Sequence, residues 1–527
     1  GKALGVPGTR RSAPVGAIPA RPVQAHCRAG WRGLPGRPPR YPQGMATITR
    51  VLDPEPVPSL DAYTGAGGGQ GLEAARKLGP SATIEEIEAS GLRGRGGAGF
   101  PTARKWAAVA ANRAPNLRPS VVVNASEGEP GSFKDRMLLR RNPYRIIEGA
   151  IIAAEAVDAE RVVFALKASF GPELERLRRA LAEVQTAGWT DLTLLVVEGP
   201  AEYLFGEETA LLEVVDGREP FPRIAPPYRH GVDDVGRDPV SAAGSVMASP
   251  GGETAAAPAL VNNAETMANV PAILAQGAAW FREVGTADSP GTIVCTVTVT
   301  GGGRRAGVAE FAMGTPLAEV IETIGGPGGP PVKAVLSGVA NPFLPGDRLD
   351  TPVTYEDMEA AGTGLGAAGF LVFSDGDDLA AVAAGVARFL AVESCGQCTP
   401  CKQDGLAIAD ILTRVVCGEA RPGDADELPS RVTTVGDEAR CALAGQQQRV
   451  IGSLLSLFPE AVRDHLEDSA VPDDPVLIAS LVDIQDGRAV LDEGHRRKQP
   501  DWTFGDTYSG QAPADRLDQR LEEASTH

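Results

Sequence analysis

Hydrophobic and polar positions along this chain change rhythm three times. An unbroken apolar run, Val121-Val122-Val123, ends in the polar Asn124. Further on, an apolar segment at 161–166, a helical pattern at 172–186 and another apolar segment at 192–197 follow in turn. Strands alternating with helices predict a mostly parallel sheet covered by helices. Before them, residues 83–90 predict a helix, with Thr83 and Glu86 in capping-box spacing and Ile84 and Ile87 on one face. The style shifts at 292–299, a strand rich in β-branched residues. A helix near 316–324 and a strand at 332–337, set off by glycines, make a small α+β module. A strand near 370–373 and an apolar helix near 379–392 lead into a third region. Residues 403–470 there read as mostly helical, and Ile451, Leu454, Leu455 and Phe458 form a core stripe.

Polar turns stand where the periodic segments end. Residues 91–102 carry Gly91, Gly94, Gly96, Gly97 and Gly99, which let backbone approach a ligand and aim N–H groups at an anion. Gly94, Gly96 and Gly99 match Gly-x-Gly-x-x-Gly, but the match follows a helix, and the strand after it ends in Asn124 with no acidic residue. The usual dinucleotide fold is therefore not indicated. Arg93, Arg95 and Lys105 supply a basic rim suited to phosphate. Similar turns stand at 124–136, 203–212 and 262–266.

The densest chemistry lies at 393–401, where Cys395, Cys398 and Cys401 recur every third position. Cys441 is a fourth candidate. Three thiolates from one loop and a fourth from elsewhere suit a [4Fe–4S] cluster. Zinc is the rival, although its structural sites draw on two separated pairs, and unligated cysteines are the third option. Cys295, inside an apolar strand, reads as inert core. The five histidines are scattered, so a histidine metal site is not indicated.

Composition narrows the classes. A length of 527 residues suits several domains. A net charge of −18 argues against nucleic acid as a partner. No apolar run is long enough to span a membrane. Seven unevenly placed cysteines do not form a secreted disulfide framework and suit a reducing cytoplasm. Residues 1–44 hold eight Lys or Arg, eight prolines and no acid, which predicts a disordered extension. The expectation is that the protein begins at Met45.

Taken together, the stretches 91–106, 124–136, 206–212, 262–266 and 393–401, with Cys441 after them, resemble the NADH-binding flavoprotein family: the F subunit of respiratory complex I and its relatives in NAD-linked hydrogenases and formate dehydrogenases. The resemblance implies an α/β multidomain chain: an FMN- and NADH-binding α/β sandwich domain (45–290), a β-grasp-like module (291–350) and a helical bundle carrying the cluster (351–470). It supplies no role for the tail (471–527). It implies FMN against Gly94, Gly96, Lys105, Asn124, Glu127, Gly206, Glu208, Asn262, Asn263 and Thr266. NADH would lie near Phe100, Glu129, Glu207 and Phe221. Cys395, Cys398, Cys401 and Cys441 would hold one [4Fe–4S] cluster. Departures from the family pattern are Ser126 for Asp, Gly128 for Ser, Phe205 for Cys, Ala108 for an aromatic residue, and a longer loop at 231–254.

The implied activity is NADH dehydrogenation. A flavin converts two-electron hydride into single electrons, so no acid–base pair is required. Implied partners are NADH, a thioredoxin-like [2Fe–2S] protein and a larger redox complex, with a cytoplasmic location peripheral to the inner face of the plasma membrane. The alternatives are the diaphorase module of a hydrogenase or formate dehydrogenase, and a non-enzymatic four-cysteine scaffold.

Overall fold

In the computed structural model, which describes residues 48–113, 118–223, 231, 257–299, 304–467 and 469–500, the first sheet has four parallel strands. They are β1 (Ser120–Asn124), β2 (Arg161–Lys167), β3 (Thr193–Gly199) and β4 (Ala259–Asn263), in the order β3-β2-β1-β4. The unbroken apolar run of β1 follows from burial on both faces. Val121 and Val123 enter the larger core with helix Pro143–Val157, while Val122 meets Leu211 and Leu212 of helix Glu208–Val215 on the other side. Successive strands step away from β1 on one side, and the chain then returns to lay β4 along its other edge. That reversal opens a crevice outside the C-terminal ends of β1 and β4, where open α/β sheets bind ligands.

The helix expected from Thr83 begins three residues earlier. Helix Pro80–Ser90 has Gly79 at its N-cap and Pro80 in its first turn, where the fixed φ of proline is already helical. Thr83 is buried and donates its hydroxyl to Ala75 O (3.3 Å), and Glu86 accepts from Ala278 N (2.5 Å). The capping box is therefore absent, because neither side chain is at the helix end.

A second sheet is mixed. Its strands β5 (Thr292–Val299), β6 (Gly307–Ala312), β7 (Val332–Ser337), β8 (Leu344–Pro345) and β9 (Gly369–Ser374) run in the order β6-β5-β9-β7-β8. β9 pairs parallel with β5 and antiparallel with β7. The module expected over 291–350 thus takes its central strand from beyond that range, because the segment 370–373 reads locally like any isolated apolar strand. Helix Leu317–Gly325 packs its apolar face on the same core.

Helices Leu379–Glu393, Thr399–Val416, Asp424–Thr434, Leu443–Leu457 and Pro459–Leu466 form the third region around their own core. Ile451 and Leu454 are fully buried there, and Leu455 and Phe458 pack against them. Helix Leu379–Glu393 is buried at every position but Arg388. Among the described residues no helix is long and apolar enough to cross a membrane. The tail adds a hairpin, β10 (Leu481–Gln485) and β11 (Arg488–Leu491), whose Leu481 joins the first core. The extension at 1–44, most of the loop at 231–254 and the end of the tail lie outside the described residues.

Candidate active site

Asn124 and Asn263 are register partners at the ends of β1 and β4. Each amide is held from behind. Asn124 donates to Gly206 O (2.9 Å) and accepts from the Ser126 hydroxyl (2.7 Å). Asn263 donates to Asp135 (2.7 Å) and accepts from Lys134 Nζ (3.2 Å). The next residue back, Asn262, accepts from the Trp106 indole (2.9 Å).

The glycine loop folds over this edge. Gly94 N donates to Phe100 O (2.8 Å) and Thr102 N to Leu92 O (3.0 Å), closing a short hairpin. Its tip is pinned by a hydrogen bond from Arg95 N to Thr266 Oγ1 (2.8 Å). A Cβ on Gly96 would stand 3.2 Å from the Asn263 Cβ, a tight contact that glycine avoids. Lys105 Nζ pairs with Glu208 (2.6 Å) and donates to Val261 O (3.2 Å). Gly94, Gly96, Lys105, Asn124, Gly206, Glu208, Asn262, Asn263 and Thr266 therefore meet along one sheet edge. Glu127 adjoins them, but its carboxylate is engaged by Ser132 Oγ, Asp135 N and Arg136 N at the start of helix Lys134–Arg141.

The basic rim is smaller than the sequence suggests. The Arg93 guanidinium lies 4.1 Å from the Tyr355 ring centroid and pairs with Glu356. Arg95 is buried, directed at the Tyr355 hydroxyl (3.5 Å) and Pro290 O (3.4 Å). Both arginines tie the loop to other modules, and of the three expected cations Lys105 alone faces the crevice.

The four candidates for dinucleotide contact separate into two kinds. Phe100 is 51% exposed, and Phe221 is half-buried. Glu129 is engaged by the Tyr203 hydroxyl (2.6 Å) and Val339 N (2.7 Å). Burial raises its carboxyl above the usual range, and the two hydrogen bonds partly offset this. Glu207 caps helix Glu208–Val215 through Thr209 N (3.0 Å) and Ala210 N (2.8 Å), and burial likewise raises it.

The four cysteines line a single pocket with Leu204 and Pro222. Gln397 Nε2 donates to Cys395 Sγ (3.3 Å) and Arg440 N to Cys398 Sγ (3.4 Å), while Ser394 Oγ lies 3.1 Å from Cys401 Sγ. Burial pushes the Cys401 thiol up to about 11 and Cys441 up to about 12. Thiolates so placed need a cationic partner to form. The turn Tyr203–Gly206 separates the pocket from the crevice. Its Leu204 lines the pocket, and its Gly206 accepts from Asn124.

Residues 87–272 match the family described as the Nuo51 FMN-binding domain, and residues 381–465 match the NADH-ubiquinone oxidoreductase-F iron-sulfur binding region. The second F subunit of NADH-quinone oxidoreductase from Rhizobium meliloti is 33% identical over 427 residues, 78% of this chain and 96% of that protein. The corresponding F subunit of Aquifex aeolicus is 34% identical over 79% of this chain and 93% of its own length. The chain belongs to the F-subunit family of NADH-quinone oxidoreductases.

The F-subunit kinship extends to hydrogenases. The NADP-reducing hydrogenase subunit HndC of Solidesulfovibrio fructosivorans is 32% identical over 80% of this chain and 83% of its own. An NAD+-reducing [NiFe]-hydrogenase in the H2-reduced state superposes with a TM-score of 0.63 at 32% identity, covering 75% of this chain and 63% of that one. Within this F-subunit chain the two matched regions carry the crevice and the cysteine pocket, and the hairpin of the tail lies beyond both. The residues present fit FMN and a [4Fe–4S] cluster. A crevice built of glycine backbone, amides and one lysine suits a phosphate-bearing flavin. Four thiols share one pocket, three from one loop and the fourth from a separate segment, an arrangement that suits a [4Fe–4S] cluster.

Some supporting residues carry no signal in the sequence. Lys134 is buried with Asp135 and Glu265, and Tyr203 bridges Glu129 and Gln446. A charged run such as Lys134-Asp135-Arg136 ordinarily reads as a solvated face.

Proposed function

We propose that this chain is the electron-input subunit of a larger redox assembly, oxidising NADH and passing electrons singly through its cluster to a partner. The carrying observation is the shared Tyr203–Gly206 turn, which sets the crevice and the cysteine pocket back to back. Bound FMN supplies the conversion of hydride into single electrons. The chain's own residues bind and orient. Lys105 and the amides of the loop bearing Gly94 and Gly96 take the flavin phosphate. Asn124, Gly206, Glu208, Asn262, Asn263 and Thr266 fix the rest of it. Glu127 contributes by holding helix Lys134–Arg141 in place, since its carboxylate has donors of its own. Phe100 and Phe221 give the dinucleotide apolar surface, with Glu129 and the cap at Glu207 shaping the polar side. Cys395, Cys398, Cys401 and Cys441 hold the cluster.

The α/β domain over 45–290 carries FMN and NADH, and the five-stranded module, with helix Leu317–Gly325 packed on it, is read as β-grasp-like. The helical region to 470 houses the cluster. Four thiols suffice for one cluster, so the next acceptor belongs to another chain, of which a thioredoxin-like [2Fe–2S] protein is the expected kind. Such partners would place the protein at the inner face of the plasma membrane. A second reading, the diaphorase module of a hydrogenase, is favoured by the superposition on an NAD+-reducing [NiFe]-hydrogenase. Anaerobic purification with flavin, iron and sulfide analysis tests the cofactors, and the proteins that copurify separate the two assemblies. Stoichiometric zinc without iron would defeat both readings.

A further inference from the structure

The tail beyond the iron–sulfur matched region crosses all three modules. Val476 N donates to Ala381 O (3.0 Å) on the central helix of the cluster region. A Cβ at Gly385 would stand 2.0 Å from Val476 O. Glycine is disfavoured inside a helix relative to alanine, and here it admits the tail. The tail then reaches the flavin side, where Ser480 Oγ donates to Gly128 O (2.8 Å) and Arg140 pairs with Asp483 (2.7 Å). At the β10–β11 turn, Ala306 N donates to Gly487 O (2.7 Å), touching the second sheet. Finally it returns to the cluster region. Arg388 donates to Arg496 O (2.8 Å) and Lys498 O (3.2 Å), and the His495 ring stacks on Phe389 with centroids 4.9 Å apart.

Its end meets one buried carboxylate. Glu393 Oε1 accepts from Lys498 Nζ (2.7 Å) and lies 3.1 Å from His495 Nε2. Its other oxygen accepts from Tyr203 N (2.9 Å). Glu393 therefore joins the two walls of the cysteine pocket, since Ser394 and Cys395 follow it directly and Leu204 follows Tyr203. The Phe389 ring, beneath His495, also meets the edge of Tyr203 (5.4 Å).

We propose that residues 476–498 are a strap, and that Lys498 is a positioning residue that fixes the cysteine loop against the flavin-side turn through Glu393. The inference rests on the cluster reading above. Without Lys498 the buried carboxylate keeps only His495 and Tyr203 N as partners and its charge is poorly compensated, so the anchor of the loop that begins at Ser394 is weakened.

Full-length protein, Lys498→Met and Lys498→Met/Glu393→Gln are purified anaerobically and exposed to an iron chelator, with iron, sulfide, flavin and the cluster's reduction potential measured. Lys498→Met should lose iron about tenfold faster, as disturbed outer partners of metal ligands do, while keeping its flavin. Its cluster potential should fall, because a positive charge has left the neighbourhood. The double variant should recover both, since an amide needs no cation. Iron loss and potential unchanged in Lys498→Met overturn the proposal, as does a double variant no better than the single one. If Lys498→Met fails to fold, a double variant that folds and holds iron supports the pairing, and failure of both overturns it. Wild-type protein with flavin but no iron would instead defeat the cluster reading itself.

Discussion

Lys105 and Glu208 are paired across the mouth of the crevice, Nζ to Oε1 at 2.6 Å, with about a quarter and a third of their side chains exposed. So open a pair contributes about 0–1 kcal/mol to folding. Facing a phosphate, the same lysine would make a charge-assisted hydrogen bond of about 1.5–3 kcal/mol. Lys105→Met should therefore weaken FMN binding by about tenfold or more and leave the melting temperature almost unmoved. Flavin titration of the apoprotein and thermal unfolding check the two halves.

Glu129 has two donors, the Tyr203 hydroxyl and Val339 N. Tyr203→Phe removes one and leaves a buried acceptor short, which should cost about 1–3 kcal/mol in urea unfolding. Glu129→Gln should raise the Michaelis constant for NADH with FMN content unchanged. Loss of flavin from Glu129→Gln would place this residue among the flavin contacts.

Cys441 closes the pocket from a segment far from the other three thiols. Cys441→Ala should make the cluster labile without unfolding the parallel sheet, whose core is separate. NADH–ferricyanide activity should persist and partner-coupled activity should collapse. A parallel fall in both, with FMN retained, would refute the separate relay. No fall in either would show that Cys441 is not a ligand.

Lys167, at the end of β2, is buried, and its amine donates to Ala201 O (2.9 Å). Burial pulls the amine down to about 8. Below that pH it is protonated in both states and carries a constant penalty. Between pH 8 and the unfolded value near 10.4 the unfolded chain binds more protons, so stability rises with pH. The penalty at pH 7 is on the order of 3 kcal/mol, less about 1 kcal/mol for the hydrogen bond. Lys167→Met should raise stability at pH 7 by about 2 kcal/mol and flatten the rise above pH 8, in urea titrations at fixed cofactor load.

The sequence by itself determined the elements and the chemistry. Val121-Val122-Val123 had to be a buried strand and Thr292–Val299 a β-branched one, and the spacing of Cys395, Cys398 and Cys401 put three thiols on one short loop. These are local properties, carried by periodicity and residue type over a few positions. Tertiary structure alone decided where the side chains went. Arg93 and Arg95 have the residue type and spacing of phosphate ligands, but Tyr355, about 260 positions away, takes them. Glu127 and Glu207 stand where site carboxylates are expected, yet helix starts engage them. Residues 370–373 give no hint that β9 is a central strand, and the tail none that Lys498 meets Glu393. A charged or polar side chain takes whichever complementary partner the fold brings within about 3 Å, and that partner is set by strand order and module packing, which no local pattern encodes.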